Sequence, residues 1–373
     1  MLSDPKTPPQ LNHLSPNPTE YERVIQFLNQ TLRPNSPWSI VDEYPNALLP
    51  NNIHNISILK DGNDVVSHAV LKPLIVKSPH VIFKVGTIGS VVTKEDHRKQ
   101  GHSQKIIENC LKMAREQSCD LAILWTNLYE FYQKLGFELS GYEISMVFEN
   151  EFASPIKKLY RFSEEKNVSP EALLRLYSLH SVNSVRTADD MKKFLSIPNT
   201  KLYTAWNTEH QLLAYAVEGK GVDLNGYIHE WGGSVPDLIS LLSHIRQIKK
   251  APITLIAPKH AQNLIRHLQP YSQFSNEGYL GMMKIINFDQ LATKIKRALR
   301  AEGYAQIVLE KHPENYVFGY GENLVSLNHE SDLIRLLFGP LDLQTMDVFT
   351  EETKQIFAKI FPLPLWIWGW DSI

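Results

Sequence analysis

The chain has 373 residues, with 38 Lys and Arg against 40 Asp and Glu, for a net charge of −2. At roughly 100–200 residues per domain, that length predicts two or three domains, and 43% hydrophobic with 21% charged residues is the make-up of a globular chain. The near-neutral balance argues against broad nucleic-acid binding, no apolar run approaches the ~18 residues of a membrane span, and two cysteines, Cys110 and Cys119, make no disulfide framework.

The N-terminus, MLSDPKTPPQ, lacks the basic-then-apolar pattern of a secretory signal. The expectation is a soluble, cytoplasmic protein with neither membrane nor nucleic-acid partners. Residues 1–18, rich in Pro and polar side chains, read as a disordered tail. Thr19 to Leu32 follows with Tyr21, Val24, Ile25 and Leu28 at helical spacing. Thr19 is a candidate N-cap, with Glu20 and Glu22 facing the helix dipole. The Pro- and Asn-rich stretch 33–55 is irregular and carries Trp38, Asp42 and Glu43.

Three strand-like runs come next, Ile56–Lys60, Val65–Val76 and Val81–Thr93, the first two joined by the hairpin signal Asp61-Gly62-Asn63. A charged turn leads into a helix at Ser103–Gln117, with Ile106, Ile107, Cys110, Leu111 and Ala114 in one apolar stripe. Leu121–Trp125 reads as a strand, Tyr129–Leu135 as a short helix and Gly141–Phe148 as a strand. This mixture is an α/β (α+β) domain of about 150 residues.

The middle third repeats the order weakly. Strands are predicted at Lys201–Ala205, Leu212–Val217 and Tyr227–Trp231, a helix at Val235–Ile248, a strand at Ile253–Ala257 and a helix at His260–Leu268. That order suggests a diverged internal duplication. From Met282 a strand runs into a helix with Phe288, Leu291, Ile295 and Leu299 on one face; helices at His329–Leu337 and Thr350–Phe361 follow. The chain ends FPLPLWIWGWDSI, which holds Trp366, Trp368 and Trp370 and reads as a buried strand or an interface plug.

The chemistry-bearing stretch is Ile88 to Leu111. An apolar strand is followed by a charged turn, and Arg98-Lys99-Gln100-Gly101-His102-Ser103 opens a helix. A helix N-terminus offers free N–H groups and partial positive charge, and Gly101 permits close backbone approach, so the segment suits a diphosphate. Alone, such a pattern also describes an ordinary capped surface helix.

With Arg98, Gly101 and Ser103 followed at the right spacing by Phe131, Tyr132, Gly136 and Phe137, the chain resembles the GNAT superfamily of N-acetyltransferases. Ser103 stands where that motif usually has Gly or Ala, a departure expected to crowd the pyrophosphate loop slightly. Beyond residue 150 the architecture resembles the enhanced-intracellular-survival (Eis) type. The resemblance implies a catalytic GNAT domain at 19–150, a degenerate second GNAT-like domain at 151–283 and a sterol-carrier-protein-like domain at 284–373.

The resemblance also implies roles. Val91, Val92 and Thr93 would pair with the pantetheine arm of acetyl-CoA, and Arg98, Lys99, Gln100, Gly101, His102, Ser103 and Gln104 would hold its pyrophosphate. Asn127 and Leu128 would line the thioester end. Tyr132 would be the general acid toward the departing thiolate, the bland alternative being a core aromatic packed with Phe131 and Phe137. No carboxylate occurs in Val81–Thr93, where many of these enzymes place a general base. The Eis resemblance implies the chain's own terminal carboxylate, that of Ile373; a water chain is the other possibility.

Trp38, Asp42 and Glu43 lie where the resemblance implies an acceptor pocket and would suit a cationic amine, though they also read as ordinary surface. His97 and His102 read as solvated turn histidines. His229-Glu230-Trp231-Gly232-Gly233 occupies the second domain's equivalent turn without Arg or Lys, which predicts a scaffold that binds no CoA. No His or Cys spacing suggests a metal. The expected activity is acetyl transfer from acetyl-CoA to a small-molecule amine or a protein lysine, in a homo-oligomer that resemblance makes a hexamer; the alternative is a non-catalytic acyl-CoA-binding or scaffold protein.

Overall fold

The computed structural model describes residues 10–13, 18–154 and 158–373. The first sheet begins with β1 (Gln10–His13), antiparallel to β2 (Ile56–Asp61). This corrects part of the expected 1–18 tail: an edge strand exposes a row of backbone N–H and C=O groups that another segment can pair with whatever its side chains. Residues 1–9 and 14–17 lie outside the described residues. Helix α1 (Pro18–Leu32) and the single turns α2 (Ile40–Glu43) and α3 (Pro45–Leu48) cover one sheet face. There Val24, Leu28, Ile40 and Leu48 pack on Ile56, Ile58, Val70 and Val92.

Strands β3 (Asp64–Lys77) and β4 (Ile82–Thr93) continue the sheet antiparallel. Helix α4 (His102–Glu116) crosses to β5 (Leu121–Leu124), which runs parallel to β4, and buries Ile106, Ile107, Cys110 and Ala114 on the other face. Helix α5 (Tyr129–Gln133) and the strands β6 (Glu138–Ser140) and β7 (Glu143–Phe148) follow.

The chain continues with β8 (Arg161–Ser163), an edge of the second sheet, then α6 (Pro170–Tyr177), the two-residue β9 (Asn183–Ser184) that pairs β3 of the first sheet, and α7 (Ala188–Leu195). None of these four is among the predicted elements. After them come β10 (Lys201–Trp206), β11 (Leu212–Lys220), β12 (Asp223–Gly233), α8 (Val235–Ile248), β13 (Ile253–Pro258), α9 (Gln262–Leu268), β14 (Phe274–Gly278) and β15 (Gly281–Ile285).

The two sheets exchange a strand. Their orders are β1-β2-β3-β4-β5-β15-β6 and β14-β7-β13-β12-β11-β10-β8. Strand β7 leaves the first half of the chain to pair with β13 and β14, and β15 returns to pair with β5 and β6. The expected division at 150/151 therefore has a strand of the second sheet just before it, and the one at 283/284 falls inside β15, a strand of the first sheet. The crossings are two residues long, Gly141-Tyr142 and Tyr279-Leu280, and they touch. A Cβ at Gly141, whose φ is +72°, would stand 2.7 Å from Cβ of Leu280. Apart from the exchanged strand the orders match: β12 is antiparallel to β11 and parallel to β13, as β4 is to β3 and β5.

Helix α10 (Phe288–Ala301), the meander β16 (Ile307–Lys311), β17 (Tyr316–Tyr320) and β18 (Asn323–Leu327), and helices α11 (Glu330–Phe338) and α12 (Glu351–Phe357) form the last layer. Its centre is Phe318, ringed by Phe349, Phe357 and Phe361 at centroid distances of 6.3, 4.9 and 5.3 Å. The aromatic tail forms no strand. It is a buried strap, with Trp366, Trp368 and Trp370 each 1–2% exposed.

Candidate active site

Strands β4 and β5 part company halfway along. Their ladder runs from Val85↔Leu121 to Thr87↔Ile123 and stops, so β4 beyond Thr87 has no partner on that side among the described residues. The cause is a bulge: His68 pairs Val92 and Val70 pairs Gly89, which leaves Ser90 and Val91 opposite Ala69 alone. Ser90 takes φ +49°, and a bulge of this kind bends and twists its strand. Buried His68 is bonded through Nδ1 to the Ser90 carbonyl at 2.9 Å. Burial pushes that imidazole down to about 4, so it is neutral and donates to the carbonyl.

Val91, Val92 and Thr93 occupy this open arm, which ends at the start of α4. Gly101, at φ +75°, is the N-cap residue, and no side chain caps the helix. A Cβ there would meet nothing within 4 Å, so glycine is required by the backbone angle and not by crowding. Lys99 is also left-handed, at φ +61°, and Arg98, Lys99 and Gln100 are exposed around the turn. The Ser103 hydroxyl does not crowd the loop. It bonds Thr93 Oγ1 at 2.8 Å, which in turn bonds Ser67 Oγ at 2.7 Å, tying the helix start to β4 and β3. His102 departs from the solvated reading: it is 5% exposed and neither ring nitrogen has a partner among the described residues. Burial, with Lys105 and His97 nearby, lowers its pKa. Gln104 is exposed on the first turn.

Tyr132 is 6% exposed and wedged edge-on between Phe131 and Phe137, at 5.0 and 5.9 Å. It shares one apolar cluster with Ile88 of β4 and Leu124 of β5, one from each arm of the split. Burial pushes the phenol up to about 12. Asn127 and Leu128 are exposed just beyond β5, where the Leu128 N–H donates to Thr126 Oγ1 at 3.0 Å.

The chain terminus reaches the same strand. A Cβ at Gly89 would stand 2.5 Å from the carboxyl carbon of Ile373 and 2.7 Å from its oxygen. Only a glycine lets the terminus sit there. The strap is locked from the second sheet: Trp368 Nε1 donates to the Val182 carbonyl at 3.1 Å. Arg186, fully desolvated, is bonded to Asp371 at 2.8 Å and to Glu230 at 2.5 Å. Lys220 donates to the carbonyls of Gly369, at 2.9 Å, Trp370, at 3.2 Å, and Ser372.

A cavity of about 310 Å³ adjoins the terminus, lined by Tyr44, Trp125, Glu143, Trp366 and Ile373 among others. Asp223, on its wall, is already held by Arg33 at 2.9 Å and by the Tyr44 hydroxyl. Glu143 has no basic partner among the described residues, and burial pushes its carboxyl up to about 7 against a hydrogen bond from Ser145.

Trp38, Asp42 and Glu43 do not line this cavity. Trp38 Nε1 and Arg33 Nε both donate to Glu43, at 2.5 and 2.8 Å, and Asp42 closes the capping box of α2 with Ser39. Their neighbour Tyr44 reaches the cavity instead. Sequence reasoning also missed Gly89, Glu143, Arg186 and Lys220. The one local signal was the Gly219-Lys220-Gly221 triplet, a lysine between two turn-forming residues at φ +77° and +59°.

Among the described residues the second sheet has no counterpart of the uncapped glycine turn that opens α4. Helix α8 is capped by Ser234, whose hydroxyl accepts from the Asp237 N–H, and Asp237 puts a carboxylate at the helix start. Among the described residues no His, Cys, Asp and Glu group could hold a metal ion, and no helix is long and apolar enough to cross a membrane.

Residues 15–140 match the acetyltransferase (GNAT) domain family. No curated protein matches the chain. Solved structures share its fold over most of its length. A GCN5-related N-acetyltransferase from Anabaena variabilis aligns with a TM-score of 0.64 at 13% identity, covering 98% of this chain and 100% of that one. A probable N-acyltransferase of unknown function from Enterococcus faecalis gives 0.59 at 13%, covering 89% and 90%. Eis1 from Mycobacterium abscessus gives 0.56 at 12%, covering 86% and 85%.

Proposed function

We propose that this protein is an N-acetyltransferase that moves an acetyl group from acetyl-CoA to a primary amine, by direct attack with both substrates bound. The observation that carries the reading is the Ile373 carboxyl seated on Gly89, on the strand whose open end runs into an uncapped helix N-terminus. A phosphate-tethered thioester finds hydrogen-bond donors at the helix, and a cationic acceptor finds a carboxylate on the strand.

In this reading Arg98 to Gln104 hold the pyrophosphate, while the backbone of Val91, Val92 and Thr93 pairs with the pantetheine arm as an added strand would. The Val91 backbone N–H stabilises the carbonyl oxygen as charge develops on it, beside Asn127 and Leu128. The bound ammonium first gives one proton to solvent, since only the free amine has a lone pair; as that nitrogen attacks the thioester carbonyl, the N–C bond forms and the C–S bond breaks. Attack acidifies the nitrogen's proton, so the Ile373 carboxylate is a strong enough base to take it. The Tyr132 hydroxyl donates to the departing sulfur. A phenol near 12 stays protonated at neutral pH, and a thiol is near 8.5, so its contribution is a hydrogen bond to the thiolate in the transition state.

The cavity beside Ile373 takes the acceptor. At about 310 Å³ it stands at the small end of ligand pockets, and its aromatic walls with the unpaired Glu143 suit a compact amine carrying an apolar body. Residues 151–283 serve as a diverged GNAT-like scaffold that anchors the strap, beside a sterol-carrier-like unit at 284–373. An oligomer and a cytoplasmic setting belong to the same reading, and sedimentation tests the first.

The deciding experiment is free-thiol release from acetyl-CoA against a panel of amines and a lysine peptide, comparing wild type with Tyr132→Phe. Release that is lost in the variant supports the transferase. Tight CoA binding with no release on any acceptor favours the non-catalytic acyl-CoA-binding protein.

A further inference from the structure

The last turn of the chain is built around one buried lysine amino group. Lys220, the final residue of β11, is 1% exposed, and its three carbonyl acceptors match the three donors an ammonium has. No carboxylate forms an ion pair with it among the described residues. Burial pushes the lysine down to about 7, against the pull of Asp371, Asp223 and Glu230, so at neutral pH ammonium and neutral amine are both present, and either form donates to the backbone carbonyls of the terminal turn. That turn is itself closed by the N–H groups of Asp371 and Ser372 on the Trp368 carbonyl, at 2.8 and 3.2 Å.

Position along the strap separates Lys220 from the other anchors. Trp368 and Asp371 are tied through their side chains, upstream of the terminus. Ser372 O belongs to the peptide bond that joins directly to Ile373, and Ile373 makes no hydrogen bond of its own among the described residues. The Lys220–Ser372 bond is therefore the last polar restraint before the carboxylate, and packing on Gly89 is what remains. Lys220 is held in turn: the His229 Nε2 nitrogen bonds the Gly219 carbonyl at 3.0 Å, and the Tyr44 ring lies 4.7 Å from the ammonium. Gly369 lets the strap pass directly over the His229 ring.

We propose that Lys220 is the positioning residue of the terminal carboxylate: its Nζ hydrogen bonds fix the carbonyls of the last turn and so aim the Ile373 carboxylate along β4. This rests on the reading of Ile373 as the general base. In the full-length protein, Lys220→Met should speed carboxypeptidase release of Ile373 by about tenfold or more, since a lost restraint opens the terminus locally. It should cut kcat by about 10- to 100-fold, the cost of a misplaced catalytic group, with KM for acetyl-CoA within about twofold because the helix turn is untouched.

A double-mutant cycle separates mechanism from general damage. In a chain lengthened by two glycines, whose carboxylate is already displaced, Lys220→Met should lower kcat no further. Effects that multiply would overturn the proposal, as would unchanged kcat and unchanged Ile373 release in the single variant. If lengthening the chain leaves turnover intact, the base reading itself falls and this inference with it. Should Lys220→Met fail to fold, Lys220→Gln, which keeps an amide donor, is read against the same outcomes.

Discussion

The carboxyl carbon of Ile373 lies 2.5 Å from where a Cβ on Gly89 would be, so the last residue of the chain and a strand residue near its first quarter share one space. Gly89→Ala therefore has to displace the terminus or the strand. The expected result is a kcat reduced by about 10- to 100-fold, the scale of a catalytic group moved by about 1 Å, with acetyl-CoA affinity retained. Steady-state kinetics beside calorimetric CoA titration reads both.

Lengthening the C-terminus by two glycines leaves the whole strap in place and moves only the charge. Turnover should fall by about 100-fold or more, as for loss of a general base, with the melting temperature within about 2 °C of wild type, as for surface changes that touch no buried contact. Full activity in the lengthened chain would remove Ile373 from the mechanism.

Gly101 tests the phosphate turn separately. Its φ of +75° costs a non-glycine residue roughly 1–2 kcal/mol, and nothing in the protein crowds its Cβ. Gly101→Val should weaken acetyl-CoA binding by about tenfold or more through the strained turn, while kcat at saturating acetyl-CoA changes less.

Glu143 predicts a pH dependence of stability. Burial raises its folded pKa to about 7, above an unfolded value near 4.3. The folded protein thus prefers the protonated carboxyl, and stability is lost as pH rises from the unfolded value through 7. Glu143→Gln removes that loss. The variant's gain in melting temperature over wild type should be near zero at pH 4.5, grow up to pH 7 and level off above it. A gain independent of pH would show that Glu143 is solvated.

Arg186 bridges Glu230 and Asp371 with all three side chains 0–4% exposed. Arg186→Met strands two buried carboxylates, a loss of about 3–5 kcal/mol for a broken buried pair, visible as a lowered denaturant midpoint.

The elements that were legible in the sequence share one property, a local pattern. Helix α8 is predicted and found at Val235–Ile248, because its apolar residues repeat at helical spacing. The α4 turn was legible for the same reason: the anion-accepting end of a helix is made by consecutive residues. Residues 159–200 carry no prediction, although α6 and α7 bury one face each and begin at the cap residues Ser169 and Thr187, a local signal that was present and not used. The role of Ser103 was misread because the Ser67–Thr93–Ser103 chain of hydroxyls joins positions far apart in sequence.

By itself, then, the sequence determined the strands and helices with strong periodicity, the order that repeats in both halves, and the phosphate-suited turn with its Tyr132. Tertiary structure alone decided that β7 and β15 trade sheets, that Tyr44 and not Glu43 meets the cavity, and that Lys220 and Arg186 hold a strap ending on Gly89. Periodicity records which face of an element is buried, not against what. A close approach such as Ile373 on Gly89 joins residues 284 positions apart, and no local pattern in either segment encodes the other.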